Sequence, residues 1–124
     1  MTTALHHLID RIRDAAAHQK PLRIRGGGSK DFYGESLQGD LINTQAYSGI
    51  TSYEPSELVV TVRAGTPLIE LEAALAERGQ CLAFEPPRFD APKGGYGGGT
   101  VGGMVAAGLS GPSRASVGSV RDYV

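Results

Sequence analysis

The sequence predicts an α+β fold in which a small mixed sheet is flanked by helices. Apolar residues recur at helical spacing between residues 4 and 19, and again between residues 68 and 75. Short alternating or β-branched runs lie between these two patterns, and residues 58–64 form the longest of them. The resulting order of a strand, further strands, a helix and a final strand is typical of a small α+β unit.

The first element is an amphipathic helix over residues 4–19. Its apolar face consists of Leu5, Leu8, Ile9, Ile12, Ala15 and Ala16. Pro21 ends the helix. Three histidines lie around this face, but His6 and His7 are adjacent and cannot share one side of a helix with His18. The histidines therefore do not indicate a metal site.

The second element, Leu22–Arg25, alternates apolar and basic residues and is predicted to be a strand. It leads into a glycine-rich loop, residues 26–34, in which Ser29 and Lys30 follow three consecutive glycines. Successive N–H groups in such a turn can form a concavity that binds an anion. A glycine-rich β-turn without a ligand is the alternative, and the spacing of a P-loop is absent.

Three further strands are predicted at residues 41–44, Ile50–Glu54 and residues 58–64. Pro55–Glu57 gives the last two a tight antiparallel connection. The last strand is nearly continuous in β-branched residues, which predicts a central position in the sheet.

A capped helix follows these strands. Thr66 is predicted to be its N-cap, Pro67 to lie in its first turn and Gly79 to close it. Its buried side carries Leu68, Leu71, Ala74 and Leu75. Residues 82–84 are then predicted to return as a strand.

The densest glycine segment of the chain runs from residue 94 to residue 111. Glycine loses more backbone freedom on folding than any other residue, so such a run indicates main chain that closely approaches something. Thr100 precedes the apolar residues 104–107 at the position of an N-cap. We predict a glycine loop that leads into a short buried helix, whose start offers a site for a phosphate group.

Three other interpretations of this segment are open. Residues 94–113 carry no charge and are about long enough to cross a bilayer, but they hold few large apolar side chains. A flexible linker would lack the apolar helical pattern. Gly97, Gly99 and Gly102 match a dinucleotide-binding motif, with Asp122 at a fitting distance, but prolines occupy the place of the strand that this motif requires.

Composition narrows the class of protein. The 124 residues suffice for one domain or part of one, and a net charge of −1 without a basic patch gives no indication of nucleic-acid binding. The single cysteine, Cys81, excludes an internal disulfide and is predicted to be a small core residue. Charged residues near the N-terminus exclude a signal peptide, so the cytoplasm is expected. Residues 120–124 resemble the beginning of a strand, which favours a piece of a longer polypeptide.

Four segments together resemble the FAD-binding domain of the vanillyl-alcohol oxidase and p-cresol methylhydroxylase (PCMH) superfamily. They are residues 22–29, 60–68, 99–108 and 120–124. The resemblance covers residues 20–124 and implies the N-terminal portion of a PCMH-type FAD-binding domain. Its implied parts are a leading helix over residues 1–20, a first α+β subdomain over residues 21–85 and the start of a second over residues 86–124.

The resemblance implies FAD as the cofactor and a set of cofactor-binding residues. These are Arg25, Gly26, Gly27, Gly28, Ser29, Gly99, Thr100, Gly102, Gly103, Gly108 and Gly111. The two glycine loops are expected to face each other across one diphosphate. Some branches of the superfamily bind flavin covalently through a histidine near the first loop. No histidine lies between His18 and Val124, so noncovalent FAD is expected.

A narrower resemblance, carried by residues 29–34, 84–87 and 108–112, is to the FAD-binding subunits of bacterial glycolate oxidases. It implies oxidation of a small 2-hydroxy acid by hydride transfer to flavin, with glycolate as the first candidate and D-lactate as the second. It also implies another flavoprotein and an iron–sulfur subunit as partners, and peripheral association with the inner membrane through them. No catalytic base is identified, and the chain alone is expected to be inactive. The alternative is a noncatalytic scaffold or docking piece of a multisubunit dehydrogenase.

Overall fold

The computed structural model of the protein describes residues 3–89 and 98–124. The helices in these ranges are α1 (Thr3–Ala17), α2 (Leu68–Ala76), α3 (Val101–Ala107) and α4 (Arg114–Val117), with 3-10 turns at Pro55–Glu57 and Val120–Tyr123. The strands are β1 (Leu22–Arg25), β2 (Asp40–Asn43), β3 (Ile50–Glu54) and β4 (Val59–Val62). The predicted α+β class is confirmed.

Parallel and antiparallel pairing both occur, but in the described residues they belong to two separate two-stranded sheets. β1 and β2 pair in parallel, with Arg25 beside Asn43. β3 and β4 form the predicted antiparallel hairpin through the turn at Pro55–Glu57. A parallel pair needs a long connection, and residues 26–39, which contain the first glycine loop, supply it.

The prediction that residues 58–64 form a central strand is wrong. β4 is shorter, pairs only with β3 in the described part of the chain, and leaves Val59 55% exposed. Leu58 adopts the left-handed conformation, with φ 56°, so strand geometry begins only after it. Because the hairpin packs one face and has no further partner strand, alternate residues of β4 remain in solvent.

Helix α2 ends as predicted. Gly79 is left-handed, with φ 67°, and the N–H of Gln80 donates to the carbonyl oxygen of Leu75 at 2.9 Å. Pro67, predicted to lie in the first turn, is the N-cap residue that directly precedes it.

The predicted role of Thr66 as the helix cap is wrong. Its hydroxyl donates to the carbonyl oxygen of Arg63 at 2.7 Å and accepts the N–H of Gly49 at 2.8 Å. Thr66 is fully buried. The hydroxyl therefore links the residue before β3 to the residue after β4. A buried hydroxyl needs hydrogen-bond partners, and here they lie in the hairpin and not in the helix.

Residues 82–84 are irregular, which corrects the prediction of a strand there. Phe84 is buried at 4% exposure, and the N–H of Glu85 donates to the carbonyl oxygen of Ser110 at 2.9 Å. The apolar run thus reflects the packing of a loop side chain and not a strand ladder. Cys81 is exposed, contrary to the prediction of a core residue, because this loop turns Phe84 and not Cys81 toward the core.

The core lies between α2 and α3 and under the β3–β4 hairpin. Its buried side chains are Leu68, Leu71, Leu75, Phe84, Val101, Met104 and Val120. This confirms the predicted buried side of α2 at its three leucines and the prediction of a short buried helix after Thr100. α1 confirms the first predicted helix, with Ala15 as its buried residue. The division into subdomains at residues 85 and 86 stays a prediction, and α3 packs against α2 across it.

Residues 120–124 do not begin a strand, contrary to the prediction. They contain a 3-10 turn that is held by a capping box. The Asp122 carboxylate accepts the main-chain N–H of Ser119 at 2.8 Å and the Ser119 hydroxyl at 3.1 Å. These local bonds hold the segment in a turn instead of an extended strand.

The alternatives for the second glycine segment can be compared with this fold. Within residues 3–89 and 98–124, no helix is both long and apolar enough to cross a membrane. α3 buries Val101 and Met104 in the core, which a flexible linker would not do. Gly97 of the dinucleotide-binding motif lies outside the described residues, and the Asp122 carboxylate is engaged in its capping box.

The capping box predicts a small pH effect. Hydrogen bonds from the main-chain N–H and then the hydroxyl of Ser119 lower the pKa of Asp122 from its ordinary value of 3.8. The carboxylate therefore stabilises the fold above the unfolded-state pKa, and this contribution is lost as the pH falls through the folded-state value. The free energy of unfolding in urea, measured between pH 3 and pH 6, should be lower for Asp122→Asn than for the wild type, and the two values should converge only at the acid end. The value for Ser119→Ala, which keeps the main-chain donor to Asp122, should lie between them. The same pH dependence in all three proteins would contradict the assignment.

Candidate functional site

A cavity of about 360 Å³ opens between the two glycine loops. Its wall consists of Arg23, Ile24, Arg25, Gly26, Gly27, Gly28, Ser29, Lys30, Asp31, Tyr33, Glu35, Ser36 and Leu37 from the first loop and its flanks, and of Thr100 and Gly103 from the second. The prediction that the two loops face one shared cavity is confirmed. The two loops meet because the end of β1, where the first loop begins, lies beside the start of α3.

The two loops touch at positions where a side chain would not fit. A Cβ atom on Gly26 would lie 2.5 Å from Oγ1 and 3.2 Å from Cγ2 of Thr100. A Cβ atom on Gly99 would lie 2.9 Å from Oγ of Ser29. Contacts this short force one neighbour to move, so glycine at these two positions permits the close approach that forms the cavity.

The first loop is a turn anchored at its start. The carbonyl oxygen of Arg25, the last residue of β1, accepts the N–H of Thr44 at 3.0 Å. Gly28 is left-handed, with φ 77°, and its carbonyl oxygen accepts the N–H of Asp31 at 3.2 Å. This turn spans residues 28–31, and Gly27, Gly28 and Ser29 at its start are buried.

The main-chain N–H groups of residues 26–29 have no partner among the described residues and can donate to a ligand. Within residues 3–89 and 98–124, none of the four N–H groups of residues 26–29 donates to a main-chain carbonyl oxygen. Buried main-chain donors are nearly always paired, so a run of unpaired ones points to a ligand with several acceptor oxygens. The turn also lacks side chains that would hold such a ligand away. A diphosphate fits these donors.

The charges around the cavity favour an anion by a narrow margin. Arg23, Arg25 and Lys30 line it together with Asp31 and Glu35. Arg25 is paired with Asp31, with Nη2 3.0 Å from Oδ2. Lys30 makes no ion pair with any described residue, and it reaches toward Gly99 on the facing loop. Arg23 also makes no ion pair with any described residue, and its Nε donates to the carbonyl oxygen of Gly39 at 3.2 Å. Lys30 and Arg23 are therefore the cations available to a bound anion, although neither was among the predicted binding residues.

At the second loop, the predicted N-cap is confirmed. The N–H of Gly103 donates to Oγ1 of Thr100 at 3.2 Å. The preceding donors are also used, because Val101 N–H bonds to the carbonyl oxygen of Thr66 at 2.9 Å and Gly102 N–H to that of Ala64 at 2.8 Å. The interpretation of this helix start as a set of open phosphate donors is therefore wrong.

The predicted binding glycines of the second loop differ in their surroundings. Gly103 lines the cavity with Thr100. A Cβ atom on Gly102 would lie 2.9 Å from both the Cβ and the carbonyl oxygen of Ala64, so this glycine allows α3 to pack on the segment after β4. Contacts of Gly99, Gly102 and Gly103 with a cofactor stay predictions.

Gly108 and Gly111 have local structural reasons to be glycine. Gly108 ends α3 in the left-handed conformation, with φ 66°. Gly111 has φ 81°, and a Cβ atom there would lie 2.5 Å from the carbonyl oxygen of Glu85. Neither is among the described residues that line the cavity, and their predicted cofactor contacts stay predictions.

Three exposed apolar side chains line the cavity. Ile24, Tyr33 and Leu37 line it and are 73%, 72% and 70% exposed, respectively. Exposed apolar side chains beside a polar turn suit a ligand that joins a charged centre to an aromatic ring. The spacing of these residues gave no signal of this from sequence, because it is the loop conformation that makes them part of the cavity wall.

The described residues do not reveal a catalytic base. Arg88 forms an ion pair with Glu72 on α2, and Glu85 is exposed. Arg88 and Glu85 both lie in the irregular, proline-rich stretch that follows Phe84. Asp90 and Lys93 of the same stretch lie outside the described residues.

Comparison with known proteins gives two matches. The family described as "FAD binding domain" matches residues 3–124. The glycolate oxidase subunit GlcE of Escherichia coli (strain K12) is 44% identical over 117 residues, which cover 94% of this chain and 32% of that protein. The chain thus spans about one third of the length of the curated relative it matches. No solved structure gives a significant match.

Proposed function

The chain belongs to the FAD-binding domain family, and on this premise we propose that it forms the FAD-binding part of an oxidoreductase acting on a small 2-hydroxy acid. The observation that carries the proposal is the cavity between the two glycine loops, where unpaired N–H groups and Lys30 surround room for a diphosphate. The name of the Escherichia coli relative favours glycolate, oxidised to glyoxylate, as the substrate. D-lactate is the second candidate.

The residues of the chain hold the cofactor in this proposal. The N–H groups of residues 26–29 donate to diphosphate oxygens, and each such charge-assisted bond contributes about 1.5–3 kcal/mol. Lys30 balances the negative charge, and Thr100 with Gly103 forms the opposite wall. Ile24, Tyr33 and Leu37 offer apolar surface to a ring system of the ligand. When bound, FAD supplies the two-electron redox chemistry, which the protein positions.

We extend the proposal to attachment, partners and location. We propose noncovalent FAD, because Ser29 and Lys30 stand in the first glycine loop, where the covalent branches of the superfamily carry a histidine. The subunit works beside another flavoprotein and an iron–sulfur subunit. It is cytoplasmic and reaches the inner membrane peripherally through those partners.

The test uses the natural full-length protein, purified and examined by absorbance. We expect a yellow protein that releases its flavin into the supernatant on acid precipitation. Anaerobic glycolate should bleach the flavin band of the protein assembled with its partners, and faster than D-lactate does. Flavin that stays with the precipitate would contradict noncovalent binding.

One other outcome favours a different class of function. A colourless protein that does not bind added FAD would support the noncatalytic scaffold instead. In that case the glycine loops would serve packing against a partner subunit.

A further inference from the structure

We propose that Asp31 is a positioning residue for the cofactor: it holds the Arg25 guanidinium against Gly28 and so keeps the glycine turn in its diphosphate-binding form. This inference rests on the proposed FAD function and deepens it. Asp31 was not among the residues predicted to bind the cofactor. Arg25 was predicted to bind the cofactor, and in this proposal it also supports the glycine turn.

The pair is fixed by several contacts at once. Nε of Arg25 lies 3.3 Å from Oδ1 and 3.0 Å from Oδ2 of Asp31, and Nη2 lies 3.0 Å from Oδ2. The side chain of Arg25 is only 22% exposed, and that of Asp31 is 49% exposed. A planar guanidinium held at more than one nitrogen has little freedom to turn.

The guanidinium occupies the space beside the Cα atom of Gly28. A Cβ atom at Gly28 would overlap Nη2 and lie 2.6 Å from Cζ of Arg25. Gly28 is also in the left-handed conformation that the turn requires. The planar group therefore supports the turn from the side where glycine has no side chain.

Asp31 also closes the same turn through its main chain. Its N–H donates to the carbonyl oxygen of Gly28 at 3.2 Å. In the described residues, the N–H groups of residues 26–29 have no main-chain acceptor that could hold the turn in their place. The Asp31 main-chain bond and the Arg25–Asp31 pair are thus the contacts that brace the turn before a ligand binds.

The direction in which FAD affinity changes when Asp31 loses its charge distinguishes a positioning role from a purely electrostatic effect. An acidic residue beside a diphosphate repels it, so removing the charge of Asp31 would by itself tighten FAD binding. A positioning role predicts the reverse. If loss of the pair lowers the fraction of protein with a competent turn to about one tenth, the apparent Kd rises about tenfold.

The experiment titrates the natural full-length apoprotein with FAD and follows the quenching of flavin fluorescence. Asp31→Asn should bind FAD about tenfold more weakly than the wild type, with little change in the unfolding temperature of the apoprotein. Glu35→Gln removes the same charge from the same cavity but from a residue without an ion pair in the described chain. It should bind FAD somewhat more tightly, which gives the matched comparison of opposite sign.

A second variant keeps the proposal falsifiable if Asp31→Asn folds poorly. Arg25→Lys retains the positive charge but cannot match the carboxylate with a planar fork. It should weaken FAD binding as Asp31→Asn does. Hydrogen exchange should be faster in both apoproteins at the N–H groups of Asp31 and Tyr33, which donate to the carbonyl oxygens of Gly28 and Lys30. Wild-type affinity or tighter binding in either variant overturns the positioning role. Failure of the wild type itself to bind FAD would instead overturn the proposed function.

Discussion

Replacing Gly26 by alanine is expected to weaken FAD binding by about 10- to 100-fold. The new Cβ atom would lie 2.5 Å from Oγ1 of Thr100, whose side chain is held as the N-cap of α3. Because the backbone of Gly26 is not left-handed, the substitution adds no intrinsic strain and acts through this contact. The two loops must separate, and losing one charge-assisted bond to the diphosphate costs about 1.5–3 kcal/mol. Fluorescence titration of the full-length apoprotein measures the effect.

Two further variants test whether the loop contact is the cause. Gly34→Ala places alanine at a left-handed position of the same loop with no atom within 4 Å, so FAD affinity should stay near that of the wild type. Adding Thr100→Gly to Gly26→Ala removes the obstructing side chain while keeping a residue that is tolerated at an N-cap. The double variant should recover part of the lost affinity. If it binds no better than Gly26→Ala, the steric explanation fails.

Replacing Gly65 by alanine is expected to destabilise the fold by about 3 kcal/mol or more. Its Cβ atom would overlap the carbonyl oxygen of Thr44 and lie 2.7 Å from the carbonyl oxygen of Tyr47. Both neighbours are main chain, and Gly65 itself donates to Tyr47 O at 2.8 Å. Moving the main chain on either side would cost free energy, because the N–H of Thr44 donates to the carbonyl oxygen of Arg25 at the end of β1. Urea unfolding of the full-length protein, followed by circular dichroism, gives the change in free energy.

Gly79→Ala is the comparison for this second substitution. Gly79 is left-handed, with φ 67°, but no atom lies within 4 Å of the Cβ position. Its replacement should cost about 1 kcal/mol, from backbone conformation alone. Equal losses of unfolding free energy in the two variants would show that steric crowding is not the main cause of the destabilisation by Gly65→Ala.

The sequence predicted the elements whose signals are local. The helix over α1, the strand β1 and the β3–β4 hairpin follow from periodicity and turn residues within a few positions. The cap at Thr100 was also predictable, because its acceptor and its donor are three residues apart. These features need no knowledge of what packs against them.

The errors concern residues whose partners are distant in sequence. Thr66 has the residue type of a helix cap, yet its hydroxyl bonds to Gly49 across the hairpin. Residues 82–84 have a strand-like composition, but none of the strands in the described ranges pairs with them. Cys81 is exposed. In an irregular segment, the side chains that point inward are determined by the packing of the core and not by a repeating pattern in the sequence.

At the site, the facing of the two glycine loops and the N–H donors of the first loop were predicted, whereas the donors expected at the start of α3 were not found open. The N–H groups at the start of α3 are taken up by the carbonyl oxygens of Ala64 and Thr66. This pairing depends on how the chain after β4 passes beneath α3. The support of the first turn by Asp31 likewise depends on the conformation of that loop, which composition does not determine.

The parallel pairing of β1 and β2 has a consequence for evolution. The segment that joins them is tethered at both ends by the sheet, and residues 31–39 on its outer part are all exposed. Doubling the length of such a tethered loop costs only about 0.6 kcal/mol in closure entropy. Homologues can therefore gain or lose residues between positions 34 and 39, and so reshape the rim of the cavity, while the glycine turn keeps its place.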